Sequence, residues 1–239
     1  MEVREPVVAN NVTASTVAFI APGPPNPSST NVLYVGVTYT DNSVFRKYIP
    51  TVSSRSLAPS EMFQIAKKDV TGIHLKQEFL AQYPIHYVYG FSSAGFSYFL
   101  TTQKRDTTEN SPFISKLARV CQDDPENYSY VQIPIECEGK GNEKYSLVQA
   151  AYVDKPGVDL AKVLVASAQD DVLYAVFAQA EINSLPTRSA LCVFTFKNIR
   201  DKFGHAVQSR IRSCVDGNGI RRGFDYFSSR SSCDNVVTI

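Results

Sequence analysis

Few side chains in this sequence are spaced in a way that could support catalysis. The histidines His74, His86 and His205 do not lie in the H-E-x-x-H pattern of zinc proteases or in a metal-binding cluster. The G-x-S-x-G motif of hydrolase nucleophiles does not occur. Residues 216–219, DGNG, begin like a calcium-binding loop, but Ile220 stands where the third ligand is needed. The sequence therefore predicts no catalytic, metal or cofactor site.

Acidic residues gather in one segment that also has the composition of a turn. Asp123, Asp124 and Glu126 could supply paired carboxylates for acid–base catalysis. Pro125 and Asn127 lie between and beside them, and both residue types favour turns. Asn127 also begins the sequon N-Y-S, a motif for N-glycosylation. A solvated turn that carries a glycan is therefore favoured over a catalytic pair.

The cysteines indicate the compartment of the protein. There are five of them: Cys121, Cys137, Cys192, Cys214 and Cys233. No C-x-x-C pair of a zinc site occurs, and the spacings are compatible with long-range disulfides that leave one cysteine over. Five buried thiols in a cytosolic protein are the alternative. Two sequons, at Asn11 and Asn127, favour the extracellular, disulfide-bonded interpretation.

Composition and charge exclude several other classes of protein. A chain of 239 residues with 44% hydrophobic residues can bury a sizeable core. The net charge of +1 argues against a nucleic-acid-binding protein, which normally has a strong basic excess. No apolar run approaches the ~18 residues that span a membrane. Residues 1–6, MEVREP, are not a signal peptide because they lack an apolar region.

The elements that position these residues are predicted to be short β-strands. The stretch from Ser111 to Cys137 has two of them, at 113–120 and 128–135, on either side of the acidic turn. The second alternates polar residues with aromatic and β-branched ones, as in a half-buried strand. A cysteine follows each strand, so this stretch could form a self-contained hairpin with its own bridge.

Strands recur in three sets, and no helix is predicted. The predicted strands cover 16–20, 31–39, 44–52 and 63–66; then 85–91, 96–102, 113–120 and 128–135; then 145–153, 171–179 and 190–199. The second strand of each set has a tyrosine within an apolar run: Tyr34, Tyr98 and Tyr174. Repeated sets of about four strands are typical of β-propeller blades, although a single antiparallel sandwich would give a similar pattern. Residues 204–239 are polar and turn-rich.

Several stretches of this sequence resemble the Sema domain of the plexins. The longest is FISKLARVCQDD at 113–124, which continues as YSYVQIPIEC at 128–137. Others are YVYGF at 87–91, LVQAAY at 147–152 and DVLYAVF at 171–177. These stretches keep their order along the chain, and together they identify it as similar to this family.

The resemblance implies an all-β fold, a Sema-type β-propeller with seven four-stranded blades of which this chain forms about three. The expected blades are 10–66, 85–137 and 145–205, within one partial Sema domain that covers 1–239. The family's first blade and signal peptide, its later blades, its cysteine-rich modules and its membrane span are expected outside this chain. The two end blades should then expose apolar faces.

The resemblance also implies how the cysteines pair. Cys137 is expected to bond Cys192 and so tie neighbouring blades together. Cys214 is expected to bond Cys233 in a local loop, and Cys121 to bond a cysteine beyond the chain end. This pairing replaces the local bridge between Cys121 and Cys137.

The function that the resemblance implies is extracellular recognition of a semaphorin by a plexin-like receptor in cell guidance or migration. The segment would lie on the outer face of the plasma membrane, as part of the ectodomain of a type I membrane protein. Phe45, Lys47 and Phe63 are candidate contacts with this partner, although both phenylalanines could instead be core residues. Self-association of the receptor is a further expectation, whereas binding to nucleic acid is not expected.

Two alternatives remain at the sequence level. A semaphorin or a scatter-factor-receptor-type protein shares the Sema fold, although Tyr128-Ser129-Tyr130 followed by Ile133-Pro134 favours a plexin. A propeller glycosidase would need arginines and acids clustered at the centre of a closed ring. The chain also has no tryptophan, which sugar-binding propellers often use for stacking. We therefore expect no enzymatic activity.

Overall fold

The computed structural model of this chain describes residues 7–8, 12–24, 30–38, 49–65, 72–80, 83–106, 108–179 and 188–212. Antiparallel strands dominate it. The first sheet contains, in spatial order, β1 (Thr16–Pro22), β2 (Asn31–Val37), β3 (Val52–Ser56) and β4 (Gly72–Ile73). The second sheet contains β5 (Ile85–Ser93), β6 (Phe96–Lys104), β7 (Phe113–Cys121) and β8 (Val131–Pro134).

The remaining elements form a smaller ladder, a third sheet and two helices. The ladder pairs β9 (Cys137–Glu138) with β10 (Lys144–Tyr145). The third sheet contains β11 (Leu147–Asp154), β12 (Val172–Ala178) and β13 (Ser189–Thr195). Helix α1 (Gly157–Leu164) connects β11 to β12, and helix α2 (Phe196–Arg212) follows β13. One 3-10 turn, Gln77–Phe79, precedes β5.

The second sheet is packed between the other two because its strands are apolar on both faces. Along β6, Phe99 points into a core shared with the first sheet, while Tyr98 and Leu100 point into a core shared with the third. All three side chains are fully buried. This alternation follows from the period of two in a strand, and it lets one strand contribute to two cores.

Aromatic rings pack against one another in each core. In the first core, Phe19 lies 5.5 Å from Tyr34 and 5.4 Å from Phe99, measured between ring centroids. In the second core, the Phe91 and Tyr98 rings stack at 4.9 Å. Aromatic pairs of this kind contribute roughly 0.5–1.5 kcal/mol beyond the area that they bury.

A β-bulge in β5 redirects its side chains from one core to the other. Tyr87 pairs with Thr101 and Tyr89 with Leu100, so Val88 is an extra residue in β5. Residues 87 and 89 would share a face in a regular strand. With the bulge, Tyr87 packs in the first core and Tyr89 against the second.

Two glycines allow the first and second sheets to approach closely, each accepting a ring from the opposite sheet. A Cβ atom added to Gly36 in β2 would lie 2.4 Å from Cδ1 of Tyr87 in β5. A Cβ atom added to Gly90 in β5 would lie 2.6 Å from Cδ1 of Phe19 in β1. Both distances are far below van der Waals contact, so the rings occupy the space that any larger residue would need.

The prediction that the chain has no helix is wrong. Residues 190–199 were expected to form one strand, but β13 ends at Thr195 and α2 begins at Phe196. The α2 helix then continues to Arg212, through part of the segment expected to be turn-rich. Helix α1 lies between the third set's first two predicted strands.

Several strand boundaries also differ from the predicted ones. The fourth strand of the first sheet is Gly72–Ile73, whereas the predicted strand at 63–66 contributes only an isolated bridge between Ile65 and Arg55. Strand β8 begins at Val131 instead of Tyr128, because residues 128–130 belong to the preceding turn. Most of the predicted strand at 44–52 lies outside the described residues.

Successive antiparallel sheets are packed face to face, as the blades of a β-propeller are. The described sheets do not close into a ring. Within the described part of the chain, no helix is long and apolar enough to cross a membrane.

Candidate interaction surface

The predicted contact residue Phe63 lies in a loop that folds back onto the end of β3. This loop, residues 57–64, is called the Phe63 loop below. The backbone N–H of Phe63 donates to the carbonyl of Ser56 at 2.8 Å, and the N–H of Ser56 donates to the carbonyl of Gln64 at 2.9 Å. The two ends of the loop are therefore held together by backbone hydrogen bonds.

A buried arginine fixes the Phe63 loop from within. The Arg55 side chain is 0% exposed, and its Nη1 donates to the carbonyl of Phe63 at 2.9 Å. Its Nε donates to Oγ of Ser53 at 3.1 Å. Hydrogen bonds from charged donors each contribute roughly 1.5–3 kcal/mol. Arg55 thus stabilises the conformation in which the loop presents Phe63.

Phe63 itself combines an unusual backbone conformation with partial exposure. Its φ of 63° lies in the left-handed region, which is uncommon for a bulky residue. The side chain is half-buried. A partly exposed aromatic residue on a rigid loop is the kind of group that anchors a protein partner. The other two predicted contacts, Phe45 and Lys47, lie outside the described residues.

The acidic turn after β7 is organised by one carboxylate. Oδ2 of Asp124 accepts from the N–H of Ser129 at 2.7 Å, and its Oδ1 accepts from the N–H of Glu126 at 3.1 Å. Oγ of Ser129 accepts in turn from the N–H of Cys121 at 2.9 Å. These carboxylate contacts are structural, because they satisfy the backbone of the turn.

The sequon residue in this turn is buried. Asn127 is 4% exposed and has a φ of 54°, a conformation that asparagine tolerates better than most residues. A glycan needs an exposed amide nitrogen, so this burial counts against the predicted attachment at Asn127. The other predicted attachment site, Asn11, lies outside the described residues.

One disulfide links the small ladder to the third sheet. The Sγ atoms of Cys137 in β9 and Cys192 in β13 are 2.07 Å apart. This pair is the one that the resemblance implies. Cys121 is a free, half-buried thiol in the structure, so no local bridge joins it to Cys137. The predicted partners Cys214 and Cys233 lie outside the described residues.

The second sheet contains a buried cation that the sequence analysis did not identify. Nζ of Lys116 donates to the hydroxyl of Tyr83 at 2.9 Å and to the carbonyl of Arg105 at 3.1 Å. The Tyr83 hydroxyl donates onward to the carbonyl of Lys104 at 2.7 Å. This chain of bonds ties the segment before β5 to the hairpin that connects β6 and β7.

Arg55 was also overlooked, although the sequence contains a signal for it. The strand VSSRS places one long cation among small hydroxyl residues, and its neighbours Val52 and Ser53 are buried. A cation in such a strand needs internal acceptors if it is buried. Among the described residues, no group of three histidine, cysteine or acidic side chains is placed to hold a metal ion.

The family model of the Sema domain matches residues 148–234 of this chain. Human Plexin-A3 is 40% identical to this chain over 205 residues, an alignment that covers 78% of the chain and 10% of Plexin-A3. Human Plexin-A4 is 37% identical over 191 residues and is matched over 72% of the chain and 10% of its own length. The chain thus spans about a tenth of the length of the curated relatives that it matches.

Comparison with solved structures also indicates similarity to a plexin, here in the fold. The chain superposes on the full extracellular region of plexin A4 with a TM-score of 0.70 and 33% sequence identity. The match covers 82% of this chain and 23% of that one. Both the sequence and the arrangement of the sheets are therefore similar to those of an extracellular Sema propeller.

Proposed function

Since this chain is a relative of the plexins and has the Sema type of β-propeller fold, we propose that it is an extracellular ligand-recognition segment of a semaphorin receptor. The observation that carries this proposal is the match to the extracellular region of plexin A4, at 33% identity and a TM-score of 0.70. The Cys137–Cys192 disulfide supports the extracellular location, because disulfides persist in oxidising compartments.

On this proposal, residues 10–66, 85–137 and 145–205 correspond to three blades, and the function is binding to protein instead of catalysis. The segment acts in cell guidance or migration by contributing to the receptor's ligand-binding surface. Self-association of the receptor is part of the same proposal, and sedimentation of the purified chain over a range of concentrations tests it.

We assign the first contact surface to the Phe63 loop together with Phe45 and Lys47. Arg55 and the closing backbone bonds keep this loop in a fixed conformation, so little conformational entropy is lost on binding. The half-buried ring of Phe63 offers apolar contact area, and Lys47 would contribute a charge for an acidic partner surface.

Surface binding of the chain to a panel of semaphorin ectodomains tests the proposal. We expect at least one semaphorin to bind saturably, with Phe63→Ala and Lys47→Ala each weakening it about fivefold or more, the usual threshold for an important interface residue. Phe113→Ala is the matched control, because Phe113 is also a partly exposed phenylalanine but lies in the second sheet.

Two results would contradict the proposal at different levels. Absence of binding to every semaphorin would argue against the receptor function. Unchanged binding in Lys47→Ala and Phe63→Ala would be compatible with the receptor function but would show that this surface does not contact the semaphorin. A glycosidase assay on the same preparation should show no hydrolysis.

A further inference from the structure

A cavity of about 440 Å³ opens between the second and third sheets, on a different part of the molecule from the Phe63 loop. Three elements form its walls: the turn between β5 and β6, the loop that follows α1, and the first turn of α2. Its polar walls include Ser93, Lys155 and Arg200, and its apolar wall includes Leu164 and Val165. Nothing in the proposed semaphorin contact uses these residues.

The carboxylate of Asp171 in the cavity wall already forms hydrogen bonds with two side chains. Oδ2 of Asp171 accepts from Oγ of Ser93 at 2.7 Å, and its Oδ1 accepts from Nζ of Lys155 at 2.5 Å. Partial burial by itself would raise the pKa of Asp171, but the bonds from Lys155 and Ser93 outweigh it and lower that pKa below its usual value. Asp171 and Lys155 therefore neutralise each other, and the bond from Ser93 of β5 to Asp171 links the second sheet to the third.

Two further charged residues of the wall are also engaged. Oδ2 of Asp170 accepts from the N–H of Ser167 at 3.2 Å, which closes the loop after α1. Nζ of Lys197 pairs with Oδ2 of Asp201 one helical turn away, at 3.2 Å. Lys197 is thus neutralised by its partner, whereas Asp170 keeps its negative charge and is held against the backbone of the loop.

Arg200 is the cation that remains available in this wall. Its side chain is exposed, and no carboxylate in the described part of the chain pairs with it. A guanidinium presents several donors in one plane and binds a carboxylate through two parallel hydrogen bonds. The cavity thus offers a site for an anionic group of this shape.

The opposite wall is apolar and unusually exposed. Val165 is 92% exposed and has a φ of 53°, a conformation that is rare for a β-branched residue. Leu164, directly before it, is half-buried and also lines the cavity. The end of α1 thus provides apolar contact area in the same cavity as the cation.

We propose that this cavity is a second interaction site, which binds a segment of a partner protein carrying a large apolar side chain next to a carboxylate. The apolar side chain packs against Leu164 and Val165, and the carboxylate pairs with Arg200. Charge complementarity to the unpaired guanidinium selects an acidic residue over a neutral or basic one.

Titration of the full chain with two tetrapeptides tests this proposal. The probes are acetyl-Gly-Leu-Glu-Gly-amide and the matched acetyl-Gly-Leu-Gln-Gly-amide, followed by backbone amide NMR shifts. We expect the glutamate peptide to bind saturably in the millimolar range, with shifts at the cavity residues, and the glutamine peptide to bind about tenfold more weakly.

Two variants separate a specific site from general attraction of acidic peptides. Arg200→Gln should weaken binding of the glutamate peptide about tenfold, whereas Lys202→Gln, an equal change of charge at an exposed position of α2 outside the cavity wall, should leave it within twofold. Both positions are exposed, so both variants should retain the circular dichroism spectrum of the native chain.

The proposal is overturned if the glutamate peptide shows no saturable shifts, or if both peptides bind equally. Equal weakening by Arg200→Gln and Lys202→Gln would also overturn it. Because neither peptide is a semaphorin, these outcomes are independent of the proposed receptor function.

Discussion

Burial raises the pKa of individual tyrosine hydroxyls in this protein, and Tyr34 is the clearest example. Tyr34 is 2% exposed, stacks on Phe19, and donates its hydroxyl hydrogen to the carbonyl of Pro22 at 3.3 Å. Burial raises the pKa of this hydroxyl to about 12. The neutral form is thus favoured in the first core, as expected when a phenol is removed from water.

The stability of the chain should therefore fall between pH 10 and about 12. Below pH 10, Tyr34 is protonated in both the folded and the unfolded chain. Above pH 10 the unfolded chain ionises while the folded one does not, which costs about 1.4 kcal/mol per pH unit for this group. The free energy of unfolding in urea, measured from pH 7 to pH 12, should show a shallower alkaline decline in Tyr34→Phe.

Tyr152→Phe is the control for this measurement, because Tyr152 is a strongly exposed tyrosine of β11. Its alkaline decline should match that of the native chain. An unchanged decline in Tyr34→Phe would show that the Tyr34 hydroxyl does not resist ionisation.

The strands and the helices of this fold are specified in different ways. Period-two alternation predicted most strands, because side chains that alternate between two cores leave that pattern in the sequence. Helix α2 has an equally regular spacing of buried residues, at Phe196, Ile199 and Phe203. It was missed because Val193 to Ile199 also reads as the end of an apolar strand.

A capping interaction marks the true boundary between β13 and α2. Oγ1 of Thr195 accepts from the N–H of Asn198 at 3.3 Å, which satisfies one of the free amides of the first turn. The sequence signal for this helix start was therefore Thr195, a residue type that caps helices, directly before apolar residues spaced three and four apart. The predicted strand was also too long at the start of β8, because the bonds of Asp124 hold Ser129 in the turn.

Sequence reasoning identified only part of the surface that we propose for interaction. The resemblance to plexins pointed to Phe63, but the arginine that holds its carbonyl could not be found without the loop's path. The 440 Å³ cavity was missed for the same reason, since its walls come from three elements that are far apart in sequence. Contacts between segments that are far apart in the sequence produce no local sequence pattern from which they could be predicted.

Helix α2 docks through buried apolar side chains, and one of them, Phe203, also contacts a cation. Phe203 is fully buried, and its ring centroid lies 4.4 Å from the guanidinium carbon of Arg119. The ring of Phe96 lies at the same distance from that carbon, so the two rings enclose the cation. Cation–π contacts of this kind contribute roughly 0.5–2 kcal/mol.

Phe203→Ala should destabilise the chain by about 3–5 kcal/mol, the usual cost of removing a buried phenylalanine. The loss combines the cavity left in the second core with the loss of one ring beside Arg119. Urea unfolding followed by circular dichroism measures it. The adjacent and exposed Lys202→Ala should change stability by less than about 0.5 kcal/mol, and an equal effect of both variants would mean that α2 does not pack as described.

At the scale of the whole molecule, the three sheets of the described residues are stacked, and the Cys137–Cys192 disulfide joins the third sheet to the β9–β10 ladder. The Cys137–Cys192 bond closes a loop with a sequence separation of 55 residues. On the chain-entropy relation, a closed loop of this length stabilises the fold by about 4 kcal/mol. One face of the third sheet exposes Tyr152 and Leu191.

Replacing Cys137 and Cys192 together by alanine should lower the free energy of unfolding by about 2–4 kcal/mol. Cys121→Ser is the matched control, because Cys121 forms no disulfide in the structure, and it should cost much less. Peptide mapping without reductant should recover the 137–192 link. Recovery of a peptide in which Cys121 is bonded to Cys137 would contradict this pairing.

The reciprocal glycines Gly36 and Gly90 have a consequence for how such a chain can vary over evolution. Each accepts an aromatic ring from the facing sheet, so the spacing between the sheets is set by backbone atoms on both sides. Repacking of side chains can absorb many substitutions in a core, but a larger residue at Gly36 or Gly90 would have to displace a whole aromatic ring of the first core. In a radial array of sheets, a widening at this one contact would rotate every sheet that follows. The geometry of the array is thus coupled to two positions that carry no side chain.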